Sequence, residues 1–193
     1  GSHGKITEGI GKIVLDHGWE SYIAYGRWMN PSQSKLYHIG SKWDEAKHGI
    51  ISRFFDNHGL NSKNPTRKLI QYIQSIQPDI IHLHNIHGYY LNYPILFEFL
   101  SQYNAPVVWT LHDCWAFTGH CAHYMFIGCE KWKQHCEYCP NLKAYPKSLL
   151  FDRSYQNFED KRREFTSLKN LTLVPVSNWL QEQIEQSFLK EQN

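Results

Sequence analysis

Cys121, Cys129, Cys136 and Cys139 are spaced C-x7-C-x6-C-x2-C within Trp109 to Pro140, a stretch that also holds Cys114 and four of the chain's twelve histidines. A C-x2-C pair presents two adjacent vertices of a tetrahedron, and two thiolates from a preceding loop close it. The pattern predicts a structural zinc on Cys121, Cys129, Cys136 and Cys139. The excursion has few apolar residues to hold itself together otherwise. His120, His123 and His135 are possible substitutes for one cysteine, and Cys114, nearest the preceding strand, reads as a packed thiol. The alternatives are unliganded thiols or an opportunistic disulfide. A thioredoxin-like role for Cys136 and Cys139 is weaker, because Pro140-Asn141 does not start a helix.

The second reactive pair is His112-Asp113, directly after the apolar run VVWTL. An imidazole beside a carboxylate can donate a hydrogen bond, stabilise charge or act as a base near neutral pH, which makes both candidate catalytic residues. IHLHNIHG supplies a third group: Asn85 and His87 are candidate ligand contacts, with His82 a hydrogen-bonded core residue. Metal binding by His82 and His84, as in amide hydrolases, would need an eight-stranded barrel, and the chain is too short for one. Gly1, Ser2, Gly4 and Lys5 form a Gly-rich opening to a helix, whose free N–H groups suit a phosphate or sugar hydroxyl; the alternative is that Gly1-Ser2-His3 is a tag remnant. Lys161, Arg162 and Arg163 read as a solvated helix face with a chance of phosphate or membrane-surface contact.

These groups need elements to hold them. Apolar residues at Ile6, Ile10, Ile13 and Val14 predict a helix over 6–16. Strands are expected at 21–26, 36–39, 79–84, 107–111 and 171–176, and helices at 44–55, 66–76, 93–103, 154–167 and after Ser177, its cap. VVWTL, nearly all apolar, reads as a parallel strand buried on both faces. The alternation predicts an α/β, Rossmann-like open parallel sheet with helices on both faces, interrupted by a Cys-rich insertion over about 112–150. The strand that normally precedes the first helix of such a fold is missing from the pattern. Ligands of these sheets bind at the carboxyl ends of the strands, where His84 and His112 fall.

The 193 residues, with 41% hydrophobic and 20% charged, fit one globular domain. A net charge of +2 argues against a nucleic-acid binder. With no apolar run long enough to span a bilayer and no secretory signal in Gly1 to Lys12, the expected compartment is the cytoplasm, where thiols stay reduced.

The segments GSHGKI, SYIAYGR, IIHLHNIHGYYLNY, VVWTLHDCWAFTGHC, GCEKWKQHCEYCP and VPVSNWL resemble bacterial glycosyltransferases of family four. These are retaining GT-B enzymes of capsule, O-antigen and exopolysaccharide synthesis. The resemblance implies a nucleotide-sugar donor, a glycan or lipid-linked acceptor, and work at the inner face of the membrane. It also implies two Rossmann-like domains, of which this chain would be the N-terminal, acceptor-binding one, with the donor-binding domain and its Glu-x7-Glu pair absent. His112 would then reach the donor sugar or the charged transition state, Asp113 and the His84–His87 loop would shape the acceptor side, and Ser177 would lie near substrate. The fragment alone is expected to be inactive. The competing reading is a zinc-stabilised α/β binding module without catalysis.

Overall fold

The computed structural model describes residues 2–192, so Gly1 of the proposed binding turn lies outside the described residues. The elements run α1 (Ser2–Asp16), β1 (Tyr22–Tyr25), β2 (Lys35–His38), α2 (Lys42–Phe55), α3 (Lys63–Ile76), β3 (Ile81–Leu83), α4 (Tyr93–Gln102), β4 (Val107–Leu111), α5 (Ser154–Phe165), β5 (Leu171–Pro175) and α6 (Asn178–Glu185). All strand pairings are parallel, in the orders β1-β2 and β3-β4-β5. In the doubly wound order 3-2-1-4-5-6 these correspond to positions 3 and 2, and positions 4, 5 and 6, with position 1 falling between the two groups. No strand precedes α1 among the described residues. The α/β reading with a parallel sheet flanked by helices is therefore correct.

The core forms where β4 meets α4 and α5. Trp109 and Leu111 on β4 are buried with Leu96, Phe97 and Leu100 of α4 and Phe165 of α5. Phe165 lies 4.7 Å from Phe97 and 4.9 Å from Trp109, centroid to centroid. Each such side chain contributes roughly 1.5–3 kcal/mol by leaving water. Thr110, on the opposite face of β4, is buried as well, which explains why VVWTL shows no polar alternation. This packing fixes the strand whose end carries His112.

Several boundaries differ from the sequence reading, α3 among them, which begins at Lys63 rather than Thr66. α1 begins at Ser2, so Ser2, Gly4 and Lys5 form its first helical turn, and no separate Gly-rich turn exists among the described residues. α2 begins at Lys42, because Ser41 and Asp44 form a reciprocal capping box that fixes the start two residues earlier than periodicity suggests.

Candidate functional site

β3 and β4 pair in register with Leu83 opposite Trp109, so His84 and His112 leave the sheet side by side. His84 Nδ1 lies 3.1 Å from His112 Nε2, and the rings stack with centroids 5.4 Å apart. One nitrogen must carry the proton and the other accept it. Burial pulls both residues down to about 4, and the neighbouring imidazoles add to it, outweighing Asp113 at His112. Both rings are thus neutral at neutral pH. His3, in the first turn of α1, stands edge-on to His112 with centroids 4.4 Å apart. The start of the chain therefore does lie against the His112 edge, as a helix. His82 is held one step back, its Nε2 2.8 Å from Thr110 Oγ1, in the hydrogen-bonded position expected of it.

Asp113 is tied on both oxygens. His87 Nε2 donates to Oδ2 over 3.0 Å and the Trp115 N–H donates to Oδ1 over 2.9 Å. Burial alone would raise its pKa, but the hydrogen bonds and the imidazole outweigh it and the net shift is downward, so the carboxylate is charged. His87 is buried and stacks on Trp115 at 4.8 Å. Asn85 closes the loop: its Oδ1 accepts from the His87 N–H and its carbonyl accepts from the Tyr90 hydroxyl. Ser177, at the end of β5, accepts the Leu180 N–H as the cap of α6.

Lys161 corrects the reading of the basic run as a solvated face. It is only 1% exposed. Its Nζ donates to the carbonyls of Trp115 (2.7 Å) and Thr118 (2.9 Å) and sits 3.7 Å from the centre of the Trp115 ring. Burial pulls it down to about 7, with Cys136, Asp56, Cys121 and Asp113 pulling the other way. A neutral amine retains two N–H donors, one for each carbonyl, so the clamp holds in either state. The sequence does carry the signal: Phe158, Lys161 and Phe165 fall on one helical stripe.

Three further groups escaped the sequence reading. Asp56, the left-handed cap of α2, accepts from His120 Nδ1 at 2.5 Å and from the Arg153 N–H at 2.9 Å. His48 accepts the Gly59 N–H (3.2 Å) and donates to Ser62 Oγ (2.7 Å). Gly59 has φ +80, and a Cβ there would press on Tyr93 and Trp115. His58 is buried with neither ring nitrogen hydrogen-bonded and is held neutral by that burial. None of these belongs to a local motif.

The zinc expectation requires correction. Among the described residues no three His, Cys, Asp or Glu side chains are placed to hold a metal ion. All five cysteines are free thiols. Cys121 and Cys139 face each other, and the hydrogen bond between them lowers the pKa of Cys121 and raises that of Cys139. Burial beneath Gly119 pushes Cys136 up to about 12. His120 is bound to Asp56, and His135 sits beside Glu159. Zinc on Cys121, Cys129, Cys136 and Cys139 is therefore not supported among the described residues.

The recess between His84, His87, Trp109, His112 and Asp113 measures about 10 Å³, far too small for a sugar ring. A larger recess of about 790 Å³ lies between α5 and the C-terminal segment, lined by Lys133, Phe158, Arg162 and Phe188, none of them part of the His112 edge. A molecule meeting the His112 edge would therefore lie across it rather than sink into it.

The family model described as Glycosyltransferase Family 4 matches residues 15–186. A stretch of 96 residues is 38% identical to the protein named "Putative colanic acid biosynthesis glycosyl transferase WcaC" of Escherichia coli (strain K12). That match covers 47% of this chain and 23% of the relative, so it spans less than a quarter of the relative's length. No solved structure matches the chain.

Proposed function

Because the chain belongs to Glycosyltransferase Family 4, we propose that it is the N-terminal, acceptor-side domain of a retaining GT-B glycosyltransferase. The whole enzyme moves a sugar from a nucleotide-sugar donor to a growing cell-surface polysaccharide or a lipid-linked acceptor. It works in the cytoplasm at the inner face of the membrane, and a second domain holds the donor. The name of the Escherichia coli relative supports sugar transfer. No helix among the described residues is long and apolar enough to cross a membrane, which agrees with peripheral attachment.

One observation carries the reading: the neutral His84–His112 pair and the His87–Asp113 pair share the carboxyl edge of β3 and β4. His112 engages His84 through Nε2, leaving Nδ1 for a sugar hydroxyl or the departing phosphate oxygen. As a neutral imidazole it contributes a directed hydrogen bond rather than a positive charge. Asp113 holds His87 in one tautomer and the 113–115 turn in one conformation, so it positions the edge. Asn85 Nδ2, in the loop after β3, is available to an acceptor hydroxyl, and the first turn of α1 borders the same edge through His3. The shallow recess fits a site completed by a facing domain.

The test is sugar transfer from a nucleotide-sugar donor. Joined to its donor-binding domain, the chain should turn donor over; the 193 residues alone should not. Turnover by the isolated chain would overturn the domain assignment.

A further inference from the structure

The chemistry of the His112 edge uses none of the five cysteines, yet two of them meet. Cys121 and Cys139 face each other in hydrogen-bond contact. Two tie points bracket the pair. Ahead of it, a Cβ on Gly119 would lie 2.6 Å from the Cβ of Cys136. Beyond it, Asn141 Nδ2 donates to the His123 carbonyl over 3.0 Å. The segments through Cys121 and Cys139 therefore run alongside each other, held together on both sides of the thiols. The Asn141 N–H also donates to Cys139 Sγ over 3.4 Å, and the Cys139 N–H donates to Asp152 Oδ2 over 2.6 Å. Those bonds fix the second thiol in place.

The pair differs from the other thiols. Cys114 is 1% exposed, and burial pushes its thiol up to about 12. Cys139, by contrast, is partly exposed and opens the pair to a small solute. The contact with Cys139 and the Asn141 side chain favour the thiolate on Cys121. A thiolate with a second thiol against it is the arrangement that peroxides oxidise reversibly, because the second sulfur resolves the first product.

We propose that Cys121 and Cys139 form a reversible oxidation site, at which hydrogen peroxide converts the facing thiols into a disulfide. The Cys121 thiolate attacks one peroxide oxygen and breaks the O–O bond. Its sulfur becomes a sulfenic acid, and the departing hydroxide takes up the proton that Cys121 gave up and leaves as water. The Cys139 sulfur then attacks Cys121 Sγ, forming the S–S bond and expelling the sulfenic hydroxyl, which leaves with the Cys139 proton as a second water. Two thiols and one peroxide thus yield one disulfide and two waters, sulfur being oxidised and oxygen reduced. The bond reaches the His112 edge through the backbone. The Cys121 carbonyl accepts from Thr118 Oγ1 over 2.6 Å, and the Ala122 carbonyl accepts the N–H of Cys114, the neighbour of Asp113, over 3.0 Å. In a reducing compartment such a bond is transient, so the pair acts as a sensor rather than a staple. The oxidation site stands independently of the transferase reading.

Peptide mapping by mass spectrometry under non-reducing conditions tests this on the chain treated with hydrogen peroxide at neutral pH, without any sugar substrate. The expected product is an intramolecular Cys121–Cys139 disulfide that dithiothreitol reverses. It should form at least about tenfold faster than Cys114 is oxidised. Cys139→Ser should stop at a sulfenic acid on Cys121, which dimedone traps, and Cys121→Ser should give neither product. In the wild-type chain the disulfide should raise the unfolding temperature by about 5–10 °C, because it closes a loop already folded into that shape. Both thiols left intact by peroxide, or a disulfide joining other cysteines, would overturn the proposal. So would a Cys121–Cys139 bond that lowers the unfolding temperature, since the thiols would then not be in place beforehand.

Discussion

Lys161→Met removes the two donors that hold the Trp115–Thr118 turn while keeping nearly the length and volume of the side chain. Two carbonyls, those of Trp115 and Thr118, lose the only side-chain donor placed on them. A stranded buried acceptor costs about 1–3 kcal/mol, and loss of the contact with the Trp115 ring adds up to about 2 kcal/mol. Removing a buried ammonium offsets part of this, so the net loss should be about 2–5 kcal/mol. For a chain of this size that corresponds to a fall of about 5–15 °C in Tm. The pH dependence supplies an independent check. The folded pKa of Lys161, about 7, lies below its ordinary value of 10.5. The unfolded chain therefore binds more protons between these values, and its contribution is fully present above 10.5 and lost as pH falls through 7. The gap between wild type and Lys161→Met should widen from pH 7 to pH 10. Urea unfolding followed by tryptophan fluorescence at both pH values measures it. A Met variant within about 0.5 kcal/mol of wild type at both would refute the clamp.

Other outcomes follow from the same geometry. His48, 1% exposed, is held at about 4 against 6.5 unfolded; its contribution is present above 6.5 and lost as pH falls through 4. Between pH 7 and pH 5 the protein should lose about 2 kcal/mol on this account, measurable by urea unfolding, and His48→Gln should flatten the slope. Gly119→Ala would put a Cβ onto the Ser154 carbonyl oxygen and 2.6 Å from Cys136 Cβ. It should cost about 1–3 kcal/mol or more in thermal unfolding. Gly9→Ala, inside α1 with nothing within 4 Å, should instead stabilise by about 0.5–1 kcal/mol.

How much could be read from the sequence divides along local and non-local lines. VVWTL announces a strand covered on both faces, and the residue after it must emerge at the sheet's carboxyl edge, so His112 was legible. His84 was too, because a second apolar strand ends there. What period and motif cannot show is which side chains meet across long separations. Asp56 and His120 are 64 residues apart, and Asp56 sits in no motif. Lys161 looked solvated beside Arg162 and Arg163, although its place on the Phe158–Phe165 stripe marked it as inward. The cysteine spacing falls short for the converse reason: C-x2-C fixes two vertices, but the turns before it must place the rest, and among the described residues no three ligands are arranged to hold an ion. The opening residues were read as a turn on glycine content, whereas packing of Gly11 against Ser21, Ile23 and Ser34 anchors a helix that reaches back to Ser2.

The claim that His112 carries chemistry at the edge of β4, with Asp113 positioning it, is tested most directly by His112→Ala in the enzyme joined to its donor-binding domain. Sugar transfer is followed as kcat and acceptor KM. The account predicts a fall in kcat of about 10²-fold or more with acceptor KM little changed and Tm close to wild type. A kcat within about threefold of wild type would contradict it.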